Sequence, residues 1–516
     1  MPSVTKVFRN FYRDSVSLMQ LSARLAKLPG LSQASAVMAS ENNLALLREA
    51  GQLAGAVDAG PNDLLIVLTG DDAPTLEAAM TEAEAALYEK PRSGGGGVRQ
   101  EPPRSLEMGL AALPAASLAL ISTPGDYAAA EAMKALRLGL NVLLFSDNVA
   151  IADEIELKRY AESRDLIVMG PDCGTAIING IPLGFANVVR RGAIGVVGAS
   201  GTGLQQVTCL IDRLGQGVAQ AIGTGGHDLH GDVGGISMLQ GLRALAADPT
   251  TRVIVLISKP PAAAVAARVL ATARDAGKPV VVNFLGADPG SIRGPNLHPA
   301  KTLEDAAVTA VTLLEGRTPP ALESHAAAAA DRSGLAAGQR FVRGLYSGGT
   351  FCFEATMLLA EALAPVYSNT PVGTAKSLED VWRSRGNTLL DLGDDVFTRG
   401  RPHPMIDHRL RNDRILAEAA DPETAVILLD VVLGYGSHRD PAGEMAPVIE
   451  AARRTAARAG RQPIFVGFVC GTDNDPQSLA RQRARLTEAG MRLAPSNAQA
   501  VRLAMAIAAP GEVRRS

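Results

Sequence analysis

A chain of 516 residues that is 47% apolar, 4% aromatic and 20% charged is long enough for several packed cores, and it is neither disordered nor fibrous in composition. Fifty basic and 53 acidic side chains leave a net charge of -3; without a basic stripe, nucleic acid is excluded as a partner. Four separate cysteines, Cys173, Cys209, Cys352 and Cys470, form no CxxC pair, which excludes a disulfide framework and a zinc site and fits a reduced, cytoplasmic setting.

The opening stretch "MPSVTKVFRNFYRDSV" is charged and lacks an apolar core, so no signal peptide is expected. No apolar run reaches the roughly 18 residues of a membrane span. Short apolar runs then alternate with amphipathic segments: "SVSLMQLSARLAKL" follows Asp14 as its N-cap, and "DLLIVLTG" closes a small α/β domain over 1–90. The Gly- and Pro-rich "PRSGGGGVRQEPPRS", 91–105, reads as a linker.

From 106 the pattern is βαβ. "SLALIST", a helix over 126–138, "NVLLFS", a helix over 150–163 and "LIVMGPDCG" form one unit to residue 190. "AIGVVGASGTG", a helix over 204–214, "VAQAIGTGG", a helix over 234–247, "RVIVLIS", a helix over 262–276 and "PVVVNFLG" form a second over 191–316. A second linker over 317–340 precedes a third unit over 341–516. Continuously apolar strands are buried on both faces, so the expected class is α/β: several doubly wound, Rossmann- or flavodoxin-like parallel-sheet domains plus the small N-terminal one.

Two glycine-rich strand-to-helix turns stand out. Ser200, Gly201, Thr202 and Gly203 open one helix, and Ser347, Gly348, Gly349 and Thr350 open another. Free N–H groups and hydroxyls at a positive helix end hold phosphate or carboxylate, and the pair implies one shared anion, with the N–H groups of Gly201 and Gly203 among the donors. Capping alone is the competing account of each turn. "GTGGHDLHGDVGG" places Gly225 and Gly226 at a sheet's carboxyl edge, where open α/β folds bind ligands. Its His227, Asp228, His230 and Asp232 match no metal cage, and a polar surface loop is the expectation. Cys173 reads as a buried small residue rather than a nucleophile. "RGRPHPMIDHRLRNDR", 399–414, reads as a solvated face, with carboxylate or phosphate binding by its arginines as the secondary reading.

These stretches carry a resemblance. Residues 118–174 and 194–258 resemble the α subunit of succinyl-CoA synthetase, and 341 to about 505, with "NTLLDLGDD" and "VILLDVVLG", the ligase domain of its β subunit. The order, with an additional N-terminal domain, resembles the FdrA family. The resemblance implies a CoA-binding-like domain over 106–190 and ligase-like domains over 191–316 and 341–516. It also implies that the two glycine-rich helix starts face one another.

The departures bear on chemistry. The synthetase's phosphohistidine loop, GHAGA, has no counterpart after "PVVVNFLG", leaving His298 and His227 as the candidate catalytic histidines. Its GEIGG turn is replaced by Ser258, Lys259, Pro260 and Pro261, and its CoA-binding glycine loop and ATP-grasp domain are absent. The resemblance therefore implies a carbamoyltransferase component acting on carbamoyl phosphate and oxamate in purine and allantoin degradation, with separately encoded partner subunits; it names no cofactor for this reading. An NDP-forming acyl-CoA synthetase subunit, which would use CoA, is the alternative; a non-catalytic metabolite-binding or assembly subunit is the third reading.

Overall fold

The computed structural model describes residues 2–53, 55, 57–88, 103–318, 331–399 and 401–508. Most of the expected linkers, 89–102 and 319–330, lies outside the described residues. The chain forms two compact units, Met1–Leu166 with Asp395–Asp407, and Ile167–Asp394 with His408–Ser516.

In the first unit, strand Leu64–Gly70 lies between Ser3–Phe8 and Leu31–Met38 and is antiparallel to both. Its side chains alternate between two cores, as the period of a strand requires. Leu64, Ile66 and Leu68 join Leu18, Leu25 and Met80, while Leu65 and Val67 join Leu44 and Leu47 on the other face. Helix Ser15–Leu25 begins where Asp14 accepts the Ser17 N–H, the expected N-cap. Further on, strands Leu118–Ile121 and Asn141–Leu144 pair in parallel around helix Gly125–Arg137.

The second unit holds two seven-stranded sheets. The first runs Leu297–Pro299, Val280–Phe284, Val253–Ser258, Arg191–Gly198, Val218–Gly223, Thr175–Ile178 and Ile181–Gly184. Its first five strands are parallel, Thr175–Ile178 runs antiparallel to them, and Ile181–Gly184 runs antiparallel to Thr175–Ile178. Thr175–Ile178 and Ile181–Gly184 precede residue 190 in the chain, yet they extend this sheet, because Ile177 pairs with Ala221 and gives those strands a ladder partner.

The second sheet runs Lys376–Ser377, Val366–Ser368, Asn387–Asp391, Phe341–Tyr346, Thr424–Val432, Ile464–Cys470 and Met491–Ala494, parallel throughout. Its central strands are buried along their whole length, as their uninterrupted apolar runs predict. Polar bonds also tie the halves together: Asn187 donates to the Leu433 carbonyl and to Asp475, and Thr472 Oγ1 donates to the Val188 carbonyl.

Candidate functional site

In the first sheet the chain leaves Arg191–Gly198 toward Val218–Gly223 on one side, and leaves Val253–Ser258 toward Val280–Phe284 on the other. The loops after these adjacent strands therefore diverge and open a crevice at the carboxyl edge, where doubly wound folds bind ligands. Ser200 and Lys259 stand on its two sides. The second sheet reverses in the same way between Phe341–Tyr346 and Thr424–Val432.

Helix Gly201–Arg213 starts from the first crevice and helix Gly349–Ala362 from the second sheet. Their first turns meet. Ser200 Oγ lies 2.6 Å from Thr350 Oγ1, and a Cβ built on Gly348 would stand 3.0 Å from Thr202 Cγ2 and 2.6 Å from Phe351 Cδ2. A side chain at 348 would crowd both the Thr202 methyl and the Phe351 ring, so glycine suits this close approach.

Ser200 also caps its own helix, accepting the Gly203 N–H at 3.0 Å. That N–H is therefore already used, contrary to the sequence reading that made it an anion donor. The N–H groups of Gly201, Thr202, Gly349 and Thr350 make no hydrogen bond among the described residues. Two paired hydroxyls use one O–H between them, so the other O–H is not used by this pairing.

Ser347 has a different role from the one its sequence position implies. Its N–H and hydroxyl donate to Asp430 at 2.8 and 2.7 Å, and the Gly348 N–H donates to the same carboxylate at 2.9 Å. Asp430 is fully buried and paired with Arg411 at 2.9 Å. The protein supplies its own anion at this point, which leaves Ser347 holding the turn rather than touching a ligand. Arg411 and Arg414 are correspondingly not part of a solvated face: Arg411 is held by Asp430 and Arg414 by Glu418 at 2.6 Å, all buried.

The remaining candidates lie apart from this junction. Gly225 has φ +85 and would place a Cβ 2.2 Å from the Pro171 carbonyl oxygen, so glycine is required there by backbone sterics. Gly226 and His227 are exposed beside it, and the His227 and His230 rings lie 5.2 Å apart. Asp228 is no ligand; buried, it accepts the Ser237 and Met238 N–H groups and caps helix Ile236–Ala247. His298 sits mid-strand opposite Val281, three strands from Arg191–Gly198, about 14 Å away at about 4.8 Å per strand. Half-buried, its imidazole is pushed toward the neutral form by desolvation. Cys173 is buried and points its Sγ at the Thr175 carbonyl, 3.5 Å away.

Three side chains at the junction were not singled out by sequence pattern. Lys259 is exposed, with its Nζ 5.8 Å from the centre of the Phe353 ring. Asp391 ends the strand beside Phe341–Tyr346, level with Tyr346. Burial pushes its carboxyl up to about 6, against the pull of Lys259 and the Gly393 N–H and with the help of Asp394 and Asp430. Gln206 is 2% exposed and neither atom of its amide has a partner among the described residues. The one signal for Asp391 is an acidic residue closing an apolar strand in "NTLLDLGDD"; that for Lys259 is its place in the turn that replaces GEIGG, and Gln206 has none.

A family described as CoA-ligase matches residues 345–507, and one described as CoA binding domain matches 189–286. The latter is the stretch that the resemblance assigned to a ligase-like domain, and not 106–190. A family described as AllF, heavy metal-associated domain, matches 1–103. That stretch contains neither cysteine nor histidine, and no cluster of His, Cys, Asp or Glu able to hold a metal ion occurs among the described residues, so it supplies no thiolate or imidazole to a soft metal ion.

The succinate–CoA ligase [ADP-forming] α subunit of Staphylococcus aureus is 28% identical over 150 residues, 28% of this chain and 48% of that one. This chain thus spans about half the length of that relative. The acetyl-coenzyme A synthetase 1 of Ca. Korarchaeum cryptofilum, described as dinucleotide forming, matches with a TM-score of 0.32 at 16% identity, over 77% of this chain and 84% of that one. The protein YahF of Escherichia coli (strain K12) is 44% identical over 508 residues, 98% of each chain. With a CoA-ligase-like α/β body and an AllF-type N-terminal domain, the chain belongs to the family of YahF.

Proposed function

We propose that the chain is a component of a carbamoyltransferase that binds the phosphate of carbamoyl phosphate at the junction of helices Gly201–Arg213 and Gly349–Ala362. The observation that carries the reading is the 2.6 Å approach of Ser200 Oγ and Thr350 Oγ1, which brings together two helix starts whose Gly201, Thr202, Gly349 and Thr350 N–H groups make no hydrogen bond among the described residues. Two helix N-termini with hydroxyl donors favour an anion there. In the reaction, the oxamate nitrogen attacks the carbamoyl carbon, its bond to the phosphate oxygen breaks, and the proton lost by nitrogen passes to the departing phosphate. Oxalurate and inorganic phosphate result. Catalysis by such a site rests on positioning and on stabilising the leaving group.

Oxamate and allantoin degradation come from the FdrA resemblance. Separately encoded partner subunits belong to the same reading, with residues 1–90, which carry no glycine-rich strand end, serving assembly. The second reading, an NDP-forming acyl-CoA synthetase subunit, is favoured by the CoA binding and CoA-ligase matches. A phosphate of CoA would meet the same N–H groups of Gly201 and Thr202.

The purified chain, alone and coexpressed with the products of neighbouring genes, is given carbamoyl phosphate and oxamate, and oxalurate and phosphate are followed. Equimolar formation of both is expected. Formation of an acyl-CoA from acid, CoA and nucleotide, with no oxalurate, would replace this reading by the second.

A further inference from the structure

The anion reading leaves one cation and one acid at the junction without a part. Lys259 leaves its strand at the crevice, reaches the first turn of helix Gly349–Ala362 beside Phe353, and makes no hydrogen bond or ion pair among the described residues. Asp391, 7% exposed, lies against the same turn: a Cβ on Gly349 would stand 2.6 Å from its Oδ2. Only its Oδ1 is used, by the Gly393 N–H at 3.0 Å. Oδ2 accepts no hydrogen bond among the described residues.

Gln206 points to a ligand independently. It shares a helix face with Thr202, Cys209 and Arg213, at spacings of four, three and four, and those residues reach Gly348, Cys470 and the Pro495 carbonyl. Helical side chains lean toward the N-terminus, so Gln206 leans toward Thr202, whose methyl faces Gly348. A buried amide with no partner is costly to leave unmet, and an oxyanion at the junction would meet its N–H.

We propose that an anion enters this junction together with a proton, Lys259 being its counter-charge and Asp391 the group that carries the proton. The proposal rests on the anion reading above and extends it. A carboxylate and an oxyanion crowded into one weakly hydrated crevice repel each other, and protonation removes the repulsion and turns Asp391 from acceptor into donor. The charged and titratable groups facing Asp391 are Lys259 from the first sheet, Asp394 from its own loop, Asp430 from strand Thr424–Val432 and Cys352 from the helix. Asp430 is already matched by Arg411, and burial keeps the Cys352 thiol neutral. Lys259 is the cation left for the ligand. An acid held at about 6 is largely ionised above neutrality, and a bound anion raises it further, so binding takes up a proton.

Sulfate tests this, since it keeps its charge across the range where phosphate itself titrates. It is titrated calorimetrically into the full chain from pH 5.5 to about 8.5, in buffers of differing ionisation enthalpy. Uptake of a substantial fraction of a proton is expected, with affinity falling by up to about tenfold per pH unit above neutrality. Asp391→Asn should abolish the uptake and flatten the pH dependence. Lys259→Met, at an exposed position, should weaken sulfate about tenfold or more at every pH, with rescue by Lys259→Arg. Sulfate binding without proton uptake, or uptake that persists in a folded Asp391→Asn protein, overturns the proposal while leaving the anion site standing. A wild-type chain that binds neither sulfate nor phosphate overturns the anion reading itself.

Discussion

Ser200 Oγ and Thr350 Oγ1, 150 residues apart in the chain, lie 2.6 Å apart in the fold. The same Ser200 oxygen accepts the Gly203 N–H, so one hydroxyl both caps a helix and bridges to the start of another. The two roles are separable by mutation because Thr350 shares only the second.

Ser200→Ala should cost about 1 kcal/mol of stability through the lost cap and weaken phosphate about tenfold, the usual scale for a hydrogen bond to a charged group. Thr350→Val should weaken phosphate similarly with no loss of a cap. Together they should weaken it by less than the product of the two, since each removes the same bridge. Calorimetric titration beside thermal melts reads both quantities. Unchanged affinity in both variants, with only the Ser200→Ala melt shifted, would reduce the turn to a cap.

Arg411→Met leaves Asp430 fully buried without its cation. A broken buried pair of this kind costs about 3–5 kcal/mol, and the Ser347 and Gly348 N–H groups do not replace the lost charge. Urea unfolding measures it. Adding Asp430→Asn should recover part of the loss, because the uncompensated carboxylate is then gone; a loss well under 1 kcal/mol in the single variant would mean that solvent reaches Asp430.

Glu354 sets a pH dependence of stability. Buried under helix Leu303–Leu314, it accepts the Leu303 N–H at 2.7 Å and the Asn497 amide at 2.8 Å. Burial pushes its carboxyl from 4.5 to about 7, despite both bonds. The folded chain thus keeps a proton that the unfolded chain releases above 4.5, and stability through this group falls as pH rises from about 4.5 to 7 and is level beyond. The full span is on the order of 3 kcal/mol. Asp391, pushed up to about 6, adds a smaller fall of the same sign. Melting temperatures from pH 5 to 8 should decline less steeply in Glu354→Gln, whose amide oxygen still accepts the Leu303 N–H. An equal slope in the variant would assign the decline elsewhere.

No stoichiometric phosphohistidine should form on incubation with ATP or GTP, with or without CoA. His298 lies mid-strand, three strands from Ser200, and His227 lies in the exposed loop after Val218–Gly223. Mass spectrometry under alkaline conditions preserves the phosphoramidate. A fully phosphorylated histidine would favour the acyl-CoA synthetase reading.

What the sequence determined by itself was local. Helix Gly201–Arg213, expected over 204–214, and the Asp14 cap are set by periodicity and by donors within three or four residues. The fully apolar strands placed both glycine-rich turns at the carboxyl edges of parallel sheets. Tertiary structure decided what each turn does. Ser347 and Ser200 look alike in sequence, yet Ser347 is claimed by Asp430, 83 residues away, whereas Ser200 meets Thr350. Arg411 sits in what reads as a solvated stretch and is 1% exposed, because the carboxylate that neutralises it lies on a strand 19 residues later. Lys259 and Asp391 face one helix turn only because two sheets bring their strand ends together. Such pairings depend on which long-range contacts close, and no window of neighbouring residues carries that information.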